Sequence, residues 1–336
     1  MANQEDGISR RAMVSGAAVG LAAAAAAAPA LGKPQAPAQG TPPAGLKDPR
    51  TAGPKPPFQR QSQPWPGLAG KMNPRPDHGE TSYRGSGRLA GRKALITGGD
   101  SGMGRAAAIA YAREGADVAI NYLPDEEADA REVIDLIRAA GRKGIAIPGD
   151  LRSEAFCKKL VDSAVKQLGG LDIVVSNAGR QQAHASIMDI STEQFDWTMK
   201  TNIYAPFWII KAALPYLQPG SAIIGTTSEQ ATDPSKDLYD YAMTKAATTN
   251  YVRSLAKQLA PKGIRVNGVA PGPVWTPLQV SGGATMEKLV NFGGDAPAGR
   301  PGQPGELAGI YVILAENGSS FTTGHVYGAA GGNGLP

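Results

Sequence analysis

Short apolar runs and longer amphipathic stretches alternate along the chain from Arg92 towards its end. The runs have the length of strands, and the stretches between them repeat apolar residues at helical spacing. This alternation predicts an α/β fold in which helices cover both faces of a parallel sheet. Right-handed crossovers make such a sheet doubly wound, a Rossmann fold with a ligand crevice at the carboxyl ends of its strands. We predict strands at residues 93–97, 117–121, 144–147, 172–176, 221–226, 265–270 and 325–327, and helices at residues 102–114, 126–140, 154–168, 192–217, 239–260 and 304–315.

The chain before this pattern divides into two segments. Arg10 and Arg11 precede small apolar residues at 12–30, which is typical of a twin-arginine signal peptide; we predict that it spans residues 1–38. This interpretation implies export to the periplasm, whereas the alternative is an Ala-rich tail with two incidental arginines on a cytoplasmic protein. No other stretch has the length and apolarity of a membrane span, so we expect no membrane contact for the mature protein.

Residues 39–88 form a Pro/Gly-rich extension that cannot bury enough apolar surface to fold alone. We expect it to pack on a single catalytic domain at residues 89–336, with Trp65 anchoring it there. Residues 1–93 contain 13 Lys and Arg against 5 Asp and Glu, a balance of +8, and the remainder contains 21 against 24, a balance of −3. The basic excess therefore belongs to the N-terminal segments, which argues against a nucleic-acid partner.

Cysteine and histidine give no sign of a disulfide or a metal centre. Cys157 is the only cysteine, so it cannot form an intrachain disulfide, and we expect a packing role for it. His78, His184 and His325 lack the spacing of metal ligands, so we expect no metal site.

Tyr241 and Lys245 lie four residues apart in the predicted helix at 239–260, which places both side chains on one face. A tyrosine phenol titrates near pH ~10, and a neighbouring ammonium favours the phenolate and lowers that pKa. Ser228 follows the predicted strand at 221–226, and its hydroxyl is suited to polarising a substrate carbonyl. The Tyr-x-x-x-Lys spacing also arises by chance in helices, so its meaning depends on the other motifs.

A glycine-rich turn joins the first predicted strand to its helix. Gly98, Gly102 and Gly104 give the spacing Gly-x-x-x-Gly-x-Gly, which lets backbone approach a pyrophosphate at a helix N-terminus. An ordinary strand-to-helix turn is the alternative, but its place after the first strand favours dinucleotide binding. The second strand ends at Asn121 and Tyr122, without the acidic residue that selects NAD, and this absence favours NADP over NAD.

Four motifs follow one another as they do in the short-chain dehydrogenase/reductase family, which residues 89–332 resemble. They are Thr97-Gly98-x-x-x-Gly102-x-Gly104, Ser176-Asn177-Ala178-Gly179, Ser228 with Tyr241-x-x-x-Lys245, and Pro271-Gly272. The extension, with residues 72–80 and 82–87, resembles a bacterial subgroup of that family. The resemblance implies the strand order 3-2-1-4-5-6-7. It also implies a homotetramer or homodimer built on the helices around Asn202 and Tyr241.

The resemblance also implies a role for each matching residue. Tyr241 would be the general acid/base, Lys245 would lower its pKa and hold the nicotinamide ribose, Ser228 would orient the substrate oxygen, and Asn202 would keep a water that links Lys245 to solvent. Residues expected to contact an NAD(P) cofactor are Gly98, Asp100, Ser101, Gly102, Met103, Gly104, Asn121, Tyr122, Asp150, Leu151, Asn177, Ala178, Gly179, Lys245, Pro271, Gly272, Val274 and Thr276.

These roles imply an enzyme that interconverts a secondary alcohol and a carbonyl compound, with hydride transfer to or from nicotinamide. A dinucleotide-binding sensor or scaffold without catalysis is the alternative, and the intact set of four catalytic residues argues against it. Residues 273–298 show no clear period, and we expect them to form a lid that sets the small-molecule substrate. Glu229 and Gln230 either touch substrate or face solvent, and Trp275 either lines the pocket or packs.

Overall fold

The computed structural model describes residues 45–334, and the chain from Lys47 onwards forms one compact unit. The predicted signal peptide at residues 1–38 lies outside the described residues. Within the described part of the chain, no helix combines the length and apolarity that crossing a bilayer requires.

Seven parallel strands form a single sheet in the order β3-β2-β1-β4-β5-β6-β7, which confirms the predicted fold and strand order. The order reverses between β1 and β4, where a crevice opens at the carboxyl ends of the strands. The strands are β1 (Lys93–Thr97), β2 (Asp117–Tyr122), β3 (Gly144–Pro148), β4 (Ile173–Ser176), β5 (Ala222–Thr226), β6 (Arg265–Pro271) and β7 (Val326–Ala329).

Helices cover both faces of this sheet, and neighbouring strand residues point into opposite cores. In β1, Leu95 packs in one core and Ile96 in the other, as the two-residue period of a strand requires. Helices α1, α2 and α8 cover the face of Ile96, and helices α3, α5 and α6 cover the face of Leu95. The helices are α1 (Gly102–Arg113), α2 (Glu127–Ala139), α3 (Glu154–Leu168), α4 (Thr192–Met199), α5 (Ala205–Ala213), α6 (Tyr239–Leu259), α7 (Met286–Val290) and α8 (Pro304–Ala315).

The prediction of one uninterrupted α-helix at residues 192–217 is wrong, because a π-helical turn, Lys200–Tyr204, lies between α4 and α5. The N–H of Ala205 bonds to the carbonyl of Lys200, five residues back. Pro206 follows and has no N–H to offer an α-helical bond to the carbonyl of Asn202. The wider turn thus places Asn202 at a local distortion of the helix, as is common at functional sites.

Residues 273–298 contain a kinked turn, Gln279–Gly283, and the short helix α7. Their apolar side chains form a third core with two residues of the extension, Phe58 and Met72. Trp275 is fully buried there and stacks on Phe58 with ring centroids 4.2 Å apart. Trp275 therefore packs and does not line the pocket.

The extension has no strand within residues 47–88 and is joined to the domain by hydrogen bonds. Phe58 N donates to Val290 O at 2.8 Å, and Gln63 N donates to Val280 O at 2.9 Å. Towards its end, the buried Glu114 carboxylate at the end of α1 accepts the Tyr83 hydroxyl at 2.6 Å. Backbone and side-chain bonds of this kind fix a segment whose own secondary structure is limited to two short 3₁₀ helices, Pro49–Thr51 and Ala69–Lys71.

Candidate active site

The glycine turn after β1 is shaped by close backbone contacts. Gly98 has a φ of 60°, and a Cβ there would lie 3.0 Å from Cα of Ala178. The hydroxyl of Thr97 accepts the N–H groups of Asn177 and Ala178 at 3.0 and 3.1 Å. Because Asn177 Nδ2 also donates to Gly98 O at 3.1 Å, the ends of β1 and β4 form one connected cradle.

The amino end of α1 opens into this cradle without a side-chain cap. Ser101 precedes the helix but makes no capping hydrogen bond, so the first N–H groups of α1 remain available. Ser101, Gly102 and Met103 line the cavity, and Gly102 has a φ of 53°. Exposed helix N–H groups beside glycines fit the pyrophosphate of a dinucleotide.

A cavity of about 520 Å³ runs along the carboxyl ends of the central strands. Nearly all the residues predicted to contact cofactor or substrate line it. Two predicted residues do not: Gly104 packs behind the turn and Asn202 lies beneath the cavity floor. The predicted residues that line it are Gly98, Asp100, Ser101, Gly102, Met103, Asn121, Tyr122, Asp150, Leu151, Asn177, Ala178, Gly179, Ser228, Tyr241, Lys245, Pro271, Gly272, Val274 and Thr276.

Ser228, Tyr241 and Lys245 meet in this cavity. The Lys245 ammonium lies 5.3 Å from the centroid of the Tyr241 ring and donates to Thr226 O at 2.8 Å. All three side chains are more than nine-tenths buried. The sequence therefore predicted three residues that come together, although Ser228 follows β5 and the other two lie on α6.

Burial changes the protonation of this group in a direction that the sequence did not predict. We expected Lys245 to lower the pKa of Tyr241, but burial raises the pKa of Tyr241 to about 12, against the opposing hydrogen bond of Ser228. Burial likewise lowers the pKa of Lys245 to about 8. Both shifts arise because a low-dielectric environment disfavours the charged form of each group.

Asn202 makes three side-chain hydrogen bonds beneath the site. Its side-chain oxygen accepts Arg180 N at 2.8 Å, and its amide donates to Arg180 O at 2.9 Å and to the Thr244 hydroxyl at 3.0 Å. A Cβ on Gly179 would lie 3.7 Å from both Asn202 Oδ1 and Lys245 Nζ. Asn202 and Lys245 thus flank the same glycine, as the predicted link between them requires.

Two carboxyl groups line the cavity near the end of β2: Asp100 of the glycine turn, which was a predicted contact, and Glu126, which was not. Asn121 donates to the carbonyls of Ile147 and Gly149, both at 3.1 Å, so its amide joins β2 to β3. Asp100 and Glu126 line the cavity beside it, and burial raises the pKa of both carboxyls. The nearby Asp100 charge raises the pKa of Glu126 further, which favours a neutral carboxyl there.

Arginines and tryptophans stack beside the predicted adenine contact, Asp150. Both carboxylate oxygens of Asp150 accept hydrogen bonds from the Arg152 guanidinium, which lies 4.3 Å from the Trp197 ring centroid. Arg180 covers the other side of Trp197 at 3.9 Å and lies 4.9 Å from the ring of Trp65. Sequence reasoning missed this stack because its members are far apart in the chain and follow no periodic spacing.

Other lining residues were also absent from the prediction. They come from the extension, the β2–α2 connection, the segment after β4 and the lid. The missed lining residues that the argument below uses are Trp65, Pro66, Gly67, Glu126, Gln181, Gln279 and Ser281. Glu229 and Gln230, whose role was left open, both line the cavity.

A doubly wound sheet with a glycine cradle at its switch point defines a dinucleotide-binding α/β protein. The family model described as enoyl-(acyl carrier protein) reductase matches residues 98–333. The chain belongs to the short-chain dehydrogenase/reductase family.

Relatives and solved structures agree with this assignment. The chain is 57% identical to the uncharacterized oxidoreductase YhxD of Bacillus subtilis over 82% of this chain and 93% of that protein. It is 42% identical to the NADPH-dependent aldehyde reductase 1, chloroplastic, of Arabidopsis thaliana over 80% of this chain and 94% of the relative.

Among solved structures, a short-chain dehydrogenase from Burkholderia cenocepacia in complex with NADP superposes with a TM-score of 0.68 at 34% identity, covering 73% of this chain and 98% of the other. A 3-ketoacyl-(acyl-carrier-protein) reductase from Brucella melitensis complexed with NADH gives 0.65 at 28% identity, with the same coverage. These findings make the chain an oxidoreductase of this family with an NAD(P)-type site.

Proposed function

We propose that the protein interconverts a secondary alcohol and a carbonyl compound with NAD(P) as co-substrate. The observation that supports this is the meeting of Ser228, Tyr241 and Lys245 in the cavity that the glycine cradle also lines. A bound nicotinamide would supply or accept the hydride. A non-catalytic sensor would not need a buried phenol, hydroxyl and amine in one cavity.

In this proposal, the protein residues move one proton and orient one oxygen. Because burial raises its pKa, Tyr241 is a neutral phenol at neutral pH, and this is the form that donates a proton to a carbonyl oxygen. The Ser228 hydroxyl orients that oxygen. As Tyr241 loses its proton, the Lys245 amine, protonated below about pH 8, stabilises the phenolate. The protonation states therefore favour carbonyl reduction near neutral pH.

Asn202 would position the returning proton. Its hydrogen bonds to the backbone of Arg180 fix it beside Gly179, on the side where Lys245 also lies. We propose that it holds a water that joins Lys245 to solvent, as the family resemblance implies.

The test replaces Tyr241 with phenylalanine, which keeps the ring and removes the proton. We expect turnover of carbonyl substrates to fall by at least about a hundredfold, while NADPH and NADH still bind. Tyr239→Phe is the matched control, because Tyr239 lies on the same helix but is exposed. Retained turnover in Tyr241→Phe would refute the acid/base role, and wild-type cofactor binding without turnover of any alcohol or carbonyl would support a sensor.

We propose that NADP is the favoured cofactor near neutral pH. The absence of an acidic residue at Asn121 and Tyr122 removes one repulsion against a 2′-phosphate. Glu126 faces the same region, and its raised pKa keeps it neutral, so it is able to donate a hydrogen bond. Equal affinity for NADPH and NADH at pH 7 would contradict this preference.

We further propose a homodimer or homotetramer in solution. Large apolar side chains are exposed on the two helices that the family resemblance assigns to the interface. Tyr204 and Phe207 lie at and just after the π-helical turn, and Tyr239 and Met243 lie on α6, with exposures between 41% and 59%. Exposed apolar side chains on two helices are suited to association. Export through the twin-arginine route remains our proposal for residues 1–38.

A further inference from the structure

The extension contributes part of the cavity wall. We call residues 63–68 the strap. Trp65, Pro66 and Gly67 of the strap line the same cavity as Ser228 and Tyr241. The strap is therefore in a position to contact whatever the cavity binds, beyond the anchoring role that the sequence suggested for Trp65.

The strap is closed on itself and tied to the lid. Gln63 accepts Leu68 N at 2.8 Å and donates to Leu68 O at 3.1 Å, which closes the loop. Gln63 N also donates to Val280 O at 2.9 Å. A Cβ on Gly67 would lie 3.0 Å from Pro277 O and 3.2 Å from Ser281 Cβ, so strap and lid are in close contact. The two segments consequently form one continuous wall.

The tryptophan of the strap is held by a buried arginine. Arg180 lies between the rings of Trp65 and Trp197, at 4.9 and 3.9 Å, and donates to Gln194 at 2.7 Å. Nε and Nη1 of Arg180 are buried without a hydrogen-bond partner among the described residues. The two aromatic faces offset this loss of hydration, since a guanidinium interacts favourably with an indole face. Trp65 is thus fixed in place by its neighbours.

The cavity lining around Ser228 and the lid is polar but has few cations. Gln181, Gln230, Gln279 and Ser281 are neutral, and Glu229 is the acidic group. The cationic side chains that line the described cavity are Arg152, which is bonded to Asp150, and Lys245, whose ammonium donates to Thr226 O. Arg180 does not line the cavity, so a phosphate or carboxylate on the substrate would meet only cations that protein groups already engage, and Glu229 would repel it.

We propose that the strap is a fixed wall of the substrate pocket and that Trp65 limits the substrates to short ones. The neutral polar lining with few cations favours uncharged, hydroxylated carbonyl compounds or alcohols. This inference rests on the proposed function. It names the class of substrate for the same site, and it makes Trp65 a specificity-determining residue.

The experiment measures kcat/KM for unbranched aldehydes from propanal to decanal with NADPH, in wild type, Trp65→Ala and Trp65→Phe. We expect wild type to discriminate against the long aldehydes. Trp65→Ala should raise kcat/KM for the long aldehydes by about tenfold and change that for propanal by less than about twofold. Trp65→Phe keeps a ring against Arg180, so it should raise the ratio of kcat/KM for long aldehydes to that for propanal by about threefold. This variant carries the test if Trp65→Ala does not fold.

Arg50→Ala is the control, because Arg50 belongs to the extension but is exposed and does not line the cavity. It should leave the length dependence unchanged. Glyceraldehyde should react at least about tenfold better than glyceraldehyde 3-phosphate in wild type. The opposite order would overturn the charge argument.

An unchanged length dependence in both Trp65 variants would overturn the proposal while leaving the proposed function intact. An equal loss at every length, together with a lower melting temperature, would also overturn it by showing a purely structural role. If wild type turns over neither these aldehydes nor the corresponding 2-ketones, the proposed function fails. Calorimetry then measures the binding of unbranched alcohols from propanol to decanol to wild type and the same variants. The length dependence of these affinities tests whether the strap is a wall of the pocket.

Discussion

Replacing Gly104 with alanine should damage cofactor binding although Gly104 does not line the cavity. An added Cβ would overlap the carbonyl oxygen of Gly98 and lie 2.6 Å from Asn177 Nδ2. Ordinary contacts need more room, so the amino end of α1 would have to move by about an ångström away from the cradle. That shift would break the 3.1 Å bond from Asn177 to Gly98 O and displace the N–H groups that face the cavity.

Two opposing terms set the expected size of this effect. Overpacking a well-packed site costs about 1–3 kcal/mol, whereas alanine gains about 1 kcal/mol over glycine in a helix. The net loss of about 1 kcal/mol should lower the melting temperature by a few degrees, roughly 2–4 °C. The displaced helix end should weaken NADPH binding by about tenfold or more, equivalent to about 1.4 kcal/mol.

Fluorescence titration with NADPH and a thermal melt measure the two effects separately. Gly309→Ala is the matched control, since Gly309 also lies within a helix, α8, but a Cβ there would meet no atom within 4 Å. It should keep cofactor affinity and leave stability equal or slightly raised, by about 0.5–1 kcal/mol. Wild-type affinity for NADPH in Gly104→Ala would refute the argument that this contact sets the position of the helix end.

Three further outcomes follow from the charges and surfaces described. Because burial and the Asp100 charge raise the pKa of Glu126 to about 9, its carboxyl ionises as pH rises through that value, and the ratio of NADP to NAD affinity should fall about tenfold between about pH 8 and pH 10. Titrations of Glu126→Gln should show a constant ratio, and a constant ratio in wild type would contradict the role of Glu126. Phe207→Asp should reduce the mass measured by light scattering to a smaller species, and an unchanged mass would count against this interface. Replacing Arg10 and Arg11 by lysine should keep the product in the cytoplasm, and an unchanged location on fractionation would argue against twin-arginine export.

Sequence reasoning identified the sheet and the central group of the site because both depend on local patterns. Strand and helix periods predicted the elements, and the Tyr-x-x-x-Lys spacing on α6 placed two side chains on one face. The order of the motifs linked them to Ser228 and to the glycine turn. The structure confirms the strand order and brings Ser228, Tyr241 and Lys245 into one cavity.

Features that depend on distant contacts were missed. The π-helical turn at Lys200–Tyr204 is followed by Pro206 and is held by hydrogen bonds between Asn202 and the backbone of Arg180, and no periodic signal marks it. The raised pKa of Tyr241 depends on its burial, which a motif does not state. The stack of Arg180 between Trp65 and Trp197 joins three segments that are far apart in sequence.

The extension is hydrogen-bonded to the lid on one side of the strap and to α2 on the other. At one end of the strap, Gln63 is bonded to the lid at Val280. Just beyond the other end, the N–H groups of Ala69 and Gly70 donate to the buried carboxylate of Asp129 on α2, at 2.5 and 3.1 Å. Burial raises the pKa of Asp100 in the glycine turn, and the charge of Asp129 raises it further.

One relative also aligns with part of the extension. The Bacillus subtilis relative matches 82% of the chain, although the family model covers only residues 98–333. Because the chain ends at residue 336, the additional matched residues must lie mainly before residue 98. This relative therefore shares a segment that contains part of the extension.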